Sequence, residues 1–379
     1  MRVATARART FELVFRARIV QCRRGITRAA SSLMIGVRES CRATSRQTLP
    51  ALSVTTHIPT QAMRHTPQRF HSLFRLSLLL AGITTCLTAA AAEAAPAPPH
   101  IQAASWLVVD GESGQILAEH NADAERQPAS LTKLMTAYVV LRALRNGTLG
   151  WDEKVTVRAS DVAEVGNDEA RMYLVPGHRV TVRNLVQGLI VASANDAALV
   201  LAERVGGSLS GFEQLMNDTA RQIGMQHTRF TTPSGITTPG NHSTARDLST
   251  LALRVTRDFP EYYGYSSEQH FSYGKFEKRN KNWLLGMDPS VDGLKTGHTA
   301  AAGYCIVATA SRPQQAPAMK RRVFAVVLGA PTAAARISGA AQLLNYAFSS
   351  YKDYAAVPAS GYPFITRAVG PGAGDAGRT

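Results

Sequence analysis

Pro128-Ala129-Ser130-Leu131-Thr132-Lys133-Leu134-Met135 is the stretch around which this 379-residue chain is organised. Apolar residues recur at Leu131, Leu134, Met135, Tyr138, Val139 and Leu141, the spacing of a helix. Ser130 is therefore expected at or near a helix N-terminus, with Lys133 one turn further along the same face. Upstream, residues 105–109 and 115–119 flank Asp110-Gly111-Glu112-Ser113-Gly114, the pattern of a β-hairpin. Downstream, residues 150–265 read mainly as helices. Thr181 is the expected N-cap of one running to Ile190, and two more follow at 197–205 and about 211–223. Residues 291–296, 303–310 and 322–328 then read as strands. Residues 333–348 read as an amphipathic helix with Ile337, Ala341, Leu344 and Phe348 on one face. The order predicts an α+β fold: an antiparallel five-stranded sheet flanked by helices, with an all-helical subdomain (about 150–265) inserted after the Ser130 helix.

Two further short words follow the first, Ser193-Ala194-Asn195 and Lys295-Thr296-Gly297, at intervals of 63 and 102 residues. Each has a chemical reading. A serine hydroxyl is a poor nucleophile without a base, and the Lys133 amine is near enough to take its proton once neutral. Burial and a neighbouring cation lower an amine's pKa, and Lys295 is a candidate for that cation. A helix N-terminus also favours negative charge developing at Ser130. Ser193 and Asn195 fall between two helices, where a turn can aim both into a cleft; both are also good helix caps. Lys295, Thr296 and Gly297 end a strand whose edge can pair with an extended peptide. Gly297 leaves room for close approach, and Lys295 and Thr296 can bind a carboxylate.

The ordered set resembles the signature of the serine penicillin-recognising enzymes, Ser-x-x-Lys, Ser-x-Asn and Lys-Thr-Gly. Three longer stretches are similar to the D-alanyl-D-alanine carboxypeptidases, the low-molecular-mass penicillin-binding proteins. They are residues 128–135, His242-Ser243-Thr244-Ala245-Arg246-Asp247, and Val291-Asp292-Gly293-Leu294-Lys295-Thr296-Gly297-His298-Thr299. The resemblance implies a β-lactamase/transpeptidase-like fold over residues 103–351 and hydrolysis of peptidoglycan stem peptides through an acyl-Ser130. β-Lactam antibiotics would be acylating inhibitors, and neither metal nor cofactor is implied. It assigns proton relay to Ser193, the substrate amide to Asn195, and an oxyanion hole to the backbone N–H groups of Ser130 and His298. The terminal carboxylate falls to Arg336, before the last helix, with a second basic residue at Lys281 in Asn280-Lys281-Asn282. Asp258, in Arg257-Asp258-Phe259-Pro260, matches a further family site position.

Two other readings compete. One is a DD-endopeptidase cutting peptidoglycan cross-links, against which His298 after Lys-Thr-Gly leans. The other is a non-catalytic peptidoglycan-binding protein, against which the complete nucleophile–base set argues. Two decoys need separating from the site. Ser272-Tyr273-Gly274-Lys275 also matches Ser-x-x-Lys, but in an alternating, strand-like stretch. Glu213-Gln214-Leu215-Met216-Asn217 imitates the deacylating glutamate word of β-lactamases, but its apolar residues follow a helical core pattern.

Composition bounds the rest. The net charge of +15 is concentrated near the N-terminus: residues 1–62 carry +9, 63–94 carry +2 and 95–379 only +4. Such a weak basic balance argues against nucleic-acid binding. Residues 63–94 read as a signal peptide: a basic segment, an apolar run from Leu76 to Leu87, and Ala92-Glu93-Ala94 before cleavage at Ala95. That run is too short to span a membrane. The expected location is periplasmic or secreted. The Arg- and Ser-rich residues 1–62 then read as an extension from a mis-assigned start, with Met63 the true one. Residues 95–102 are a proline-rich linker, and 352–379 a flexible Pro- and Gly-rich tail without a membrane-anchoring helix. Cys305, the one cysteine beyond residue 94, reads as a buried small hydrophobe.

Overall fold

The computed structural model describes residues 96–315, 318–356 and 364–369. The expected extension, signal peptide and cleavage point lie outside the described residues. The sheet is built from both ends of the domain. Strands β1 (Ser105–Asp110) and β2 (Ile116–His120) form the N-terminal hairpin. Its turn is tied by the Asp110 carboxylate, which accepts Ser113 N–H and O–H at 2.9 and 2.8 Å. Far along the chain come β7 (Val291–Thr299), β8 (Gly303–Gln315) and β9 (Ala318–Ala330). The spatial order is β2-β1-β9-β8-β7, antiparallel throughout. Val108 of β1 pairs with Ala325 of β9, so the hairpin closes onto the C-terminal strands and β7 becomes an edge.

Both faces of the sheet are covered, which is why its strands read as unbroken apolar runs rather than alternations. Side chains of a strand point to opposite faces in turn. Val323, Ala325 and Val327 of β9 pack on the C-terminal helix, with Ile337, Ala340, Leu343, Leu344 and Ala347. Phe324, Val326 and Leu328 face the helical side with Leu107, Leu134 and Leu248. The helical side is led by α1 (Lys133–Arg145), buried from Lys133 to Leu141. It continues with α2 (Ala159–Ala163), which lies between the antiparallel pair β3 (Lys154–Thr156) and β4 (Arg179–Thr181), and α3 (Val182–Gln187). Then come α4 (Asn195–Gly206), α5 (Leu209–Ile223), α6 (Ala245–Asp258) and α7 (Tyr262–Ser266). The Thr181 hydroxyl caps α3 by accepting Asn184 N–H at 3.3 Å, as its residue type predicts. Strands β5 (His270–Tyr273) and β6 (Phe276–Arg279) form a hairpin, and α8 (Ala333–Ser350) closes the sheet.

Helix α6 falls in the region read broadly as helical, and Thr244 caps it by accepting Asp247 N–H at 3.0 Å. Beyond Tyr351, where a flexible tail was expected, β10 (Lys352–Ala356) pairs with β11 (Phe364–Val369). Polar anchoring explains the start of this hairpin. Buried Asp353 exchanges two hydrogen bonds with Gln314, 2.7 and 3.0 Å, and accepts the buried Arg321 guanidinium at 2.9 Å. Composition reports the loss of apolar content in this segment, but not such a buried polar tie.

Candidate active site

Ser130 sits on a strained turn. Residues Ala129–Thr132 form one 3₁₀ turn leading directly into α1, and Ala129 has a φ of 49°. A non-glycine residue held there costs free energy that the surroundings must supply. Two glycines let those surroundings approach. A Cβ on Gly297 would lie 3.1 Å from Ser130 N, Pro128 O and Ala129 Cβ, and one on Gly235 only 2.0 Å from Ala129 O. Edge strand β7 and the 233–237 loop thus clamp the turn from two sides.

Lys133 has the neighbours of a base. Its amine is 3.1 Å from Ser130 Oγ, and donates to Asn195 Oδ1 and to the Ser234 carbonyl, each at 2.5 Å. A neutral amine has two N–H donors and one lone pair. The two carbonyl oxygens use both donors and leave the lone pair for the serine hydroxyl. Burial pulls the Lys133 pKa from 10.5 to about 7, the Glu169 carboxylate opposing and the Lys281 charge assisting. Lys281 thus joins Lys295, the candidate from the sequence, as a cation beside Lys133. Lys295 is itself pushed well below 10.5, by burial first and then by the charge of Lys133.

Ser193 ends a five-residue π-helical turn, Gly188–Ala192, in left-handed backbone with φ 60°. Its hydroxyl accepts Lys295 Nζ at 2.8 Å. Neither Ser193 nor Asn195 caps α4: Ala194 holds the cap position, without a side-chain bond. The turn aims both side chains inward instead. Asn195 is held at three points: its N–H donates to Ala170 O at 2.7 Å, Nδ2 to Glu169 Oε2 at 2.5 Å, and Oδ1 accepts Lys133.

Opposite lies a basic end. Arg336, in the first turn of α8, is buried, and its guanidinium reaches Gly297 O and Lys281 O only at 3.4 Å each. Its Nε has no partner, and among the described residues it forms no ion pair. Burial also lowers its pKa. A buried guanidinium without a counterion is the geometry of a carboxylate site. Lys281 is fixed alongside by its neighbours: Asn280 Nδ2 donates to Glu268 O and Asn282 Nδ2 to Gly293 O, both at 3.0 Å. The His298 ring stacks on Tyr304 at 4.0 Å, its pKa lowered by burial and by Arg336.

A cleft of about 550 Å³ joins these groups, lined by Ser130, Ser193, Asn195, Lys281, Thr296, Gly297, His298 and Arg336. Lys133 and Lys295 reach it from below through Ser130 and Ser193. Asp258 is the exception among the expected residues and is corrected here. It ends α6, accepts Tyr138 O–H at 2.5 Å and Arg254 Nε at 3.1 Å, and does not line the cleft. Both decoys also lie elsewhere. Ser272–Lys275 spans the β5–β6 turn, and Glu213 borders a separate depression with Asn217 and Arg229. Sequence reasoning missed Glu169 and the Ser234-Gly235 loop. Pro233-Ser234-Gly235 carried a turn signal, but nothing marked the segment from Gly166 to Met172 as part of the site.

The family model described as D-alanyl-D-alanine carboxypeptidase matches residues 91–332. D-alanyl-D-alanine carboxypeptidase DacC of Escherichia coli strain K12 is 39% identical over 287 residues, covering 74% of this chain and 70% of that protein. DacA of Haemophilus influenzae is 38% identical over 258 residues, 68% of this chain and 64% of its own. The chain thus spans about two thirds of the length of these relatives. Among solved structures, penicillin binding protein 6B of E. coli superposes with a TM-score of 0.68 at 37% identity, covering 74% of this chain and 87% of that one. The ampicillin-bound form of penicillin-binding protein D2 from Listeria monocytogenes gives 0.59 at 35% identity, covering 66% and 99%.

Proposed function

We propose that Ser130 carries the reaction of the family to which this chain belongs, the D-alanyl-D-alanine carboxypeptidases. The chain is a serine-type hydrolase that removes the terminal D-alanine from peptidoglycan stem peptides. In the proposed route Lys133, neutral, takes the proton of Ser130 Oγ as the oxygen attacks the carbonyl of the penultimate D-alanine. The backbone N–H groups of Ser130 and His298 hold the oxyanion, which the close approach of Gly297 to Ser130 supports. Ser193, kept in place by Lys295, gives its proton to the departing amine and is reprotonated by Lys133, so the C–N bond breaks, D-alanine leaves and Lys133 is neutral again. Water then attacks the acyl-Ser130 carbonyl. Its proton goes to Lys133, and Ser130 recovers its own as the ester C–O bond breaks. Asn195 holds the substrate amide, while Arg336, Lys281 and Thr296 receive the terminal carboxylate. Penicillins, whose carboxylate and strained amide fit the same groups, acylate Ser130.

The observation that carries this reading is the Lys133 amine, buried 3.1 Å from Ser130 Oγ with both N–H donors committed to carbonyl oxygens. Arg336, buried and without an ion pair among the described residues, favours a free terminal carboxylate over a cross-link. Export through a signal peptide cleaved near Ala94-Ala95 belongs to the same proposal, with residues 103–351 as the catalytic domain. A mass-spectrometric time course with monomeric and cross-linked pentapeptide muropeptides tests it, using Ser130→Ala as control. Loss of one D-alanine from monomers, absent in the variant, is expected. Splitting of dimers with monomers intact would make the enzyme an endopeptidase and withdraw the role of Arg336.

A further inference from the structure

Glu169 belongs to none of the three sequence words, yet its carboxylate is part of the catalytic hydrogen-bond chain. Oε1 accepts Gly166 N–H at 3.1 Å and closes a turn of its own loop. Oε2 accepts Asn195 Nδ2 at 2.5 Å. Asn195 Oδ1 accepts Lys133 Nζ at 2.5 Å, and Lys133 lies 3.1 Å from Ser130 Oγ. An asparagine amide can sit either way round, and the two orientations exchange a donor for an acceptor. Reversed, its NH₂ would face an amine already donating to Ser234 O, and its oxygen would face a carboxylate. An ionised carboxylate only accepts, so it rejects that orientation. The loop carrying Glu169 is fastened to α4 as well, since the Asp196 carboxylate accepts Met172 N–H at 3.0 Å and Leu174 N–H at 3.1 Å.

We infer that Glu169 is a positioning residue of the reaction: it locks the Asn195 amide in the orientation that holds the Lys133 amine on Ser130. The inference rests on the roles given above to Ser130 and Lys133. The charge of Glu169 acts on the same base. Groups facing Lys133 are Glu169 from its loop, Asp196 from α4, Lys281 from the segment after β6, and Lys295 from β7. Glu169 is the anion with the largest effect on Lys133. An anion favours the protonated amine, so removing it lowers the Lys133 pKa further. Since Lys133 acts neutral, the acid limb of the rate profile then moves to lower pH.

The test follows acylation by a fluorescent penicillin and the lifetime of the acyl-enzyme as separate rates across pH. It compares full-length wild type, Ser130→Ala, Glu169→Ala and Glu169→Gln, each checked by thermal melting. In Glu169→Ala the acylation rate is expected to fall tenfold or more at every pH. Glu169→Gln keeps an acceptor for Asn195 but not the charge, and its acid limb is expected about one unit lower. An unmoved acid limb in Glu169→Gln, or acylation within twofold of wild type in Glu169→Ala, overturns the inference. So does wild-type acylation with a prolonged acyl-enzyme, which would make Glu169 an activator of the deacylating water. A wild-type enzyme labelled no more than Ser130→Ala would instead defeat the assignment of Ser130, and is distinguishable on that ground.

Discussion

The two walls of the cleft are built by different means. The sheet wall is cationic and backbone-defined: β7 brings Lys295 to His298 along one edge, and α8 adds Arg336 behind it. Its geometry follows from strand register and helix packing. The helical wall is assembled from loops and helix starts, with Asp168 and Glu169 beside Ser193 and Asn195. There, side-chain hydrogen bonds rather than ladders set the geometry. The difference teaches where each task belongs. A carboxylate can be read by a rigid basic edge, whereas a base must be tuned by nearby dipoles and charges.

The largest expected break comes from the centre, where the walls meet. Lys133→Ala removes the amine that, among the described residues, is placed to take the Ser130 proton, and a loss of about 10³-fold or more in kcat/KM is expected in steady-state hydrolysis of a pentapeptide. On the sheet wall, Arg336→Leu should cost roughly 10- to 100-fold in kcat/KM by removing a charged hydrogen-bond partner. Arg336→Lys should restore only part, since an ammonium lacks the guanidinium fork. Equal loss on a substrate amidated at its terminal carboxylate would contradict the assignment. The pH profile probes the helical wall. Lys133 is active when neutral, so the rate should rise with pH through about 7 and fall about tenfold per unit below it. An acid limb near 4 would mean a carboxylate is the base.

The smallest effects sharpen the comparison by lying outside both walls. Asp258→Asn should leave kcat/KM within about twofold and lower stability by about 1 kcal/mol, through the weakened Tyr138 hydrogen bond. A large activity loss at unchanged KM would return Asp258 to the site. Glu213→Gln should change neither peptide hydrolysis nor the acyl-enzyme lifetime, because Glu213 faces a separate depression.

Much of this could be read from the chain. The hairpin, the α1 pattern, the three C-terminal strands and the last helix each carry a periodicity or turn signal that depends only on neighbours within a few residues. Ser130 and Lys133 are one helical turn apart, so their contact was local as well. The three-word order brought in Ser193, Asn195, Lys295 and Arg336 through resemblance, and the structure places all of them about one cleft. Asp258 failed because a matching word says nothing of which way a helix end faces. Strand β10 was not foreseen because its anchoring depends on Arg321 and Gln314, residues of other strands.

By itself the sequence determined the order of the main elements, the Ser130–Lys133 pairing and the basic residues of the sheet wall. Only the tertiary structure decided what tunes them: Glu169 on Asn195, Ser234 O on Lys133, and Lys281 as a second cation beside Lys133. The reason is sequence distance. Lys133 meets Asn195 across 62 residues and Ser234 across 101, and Lys295 meets Ser193 across 102. Contacts at that range leave no periodic trace, and the burial that lowers the Lys133 pKa exists only once the helical side of the sheet has packed around it.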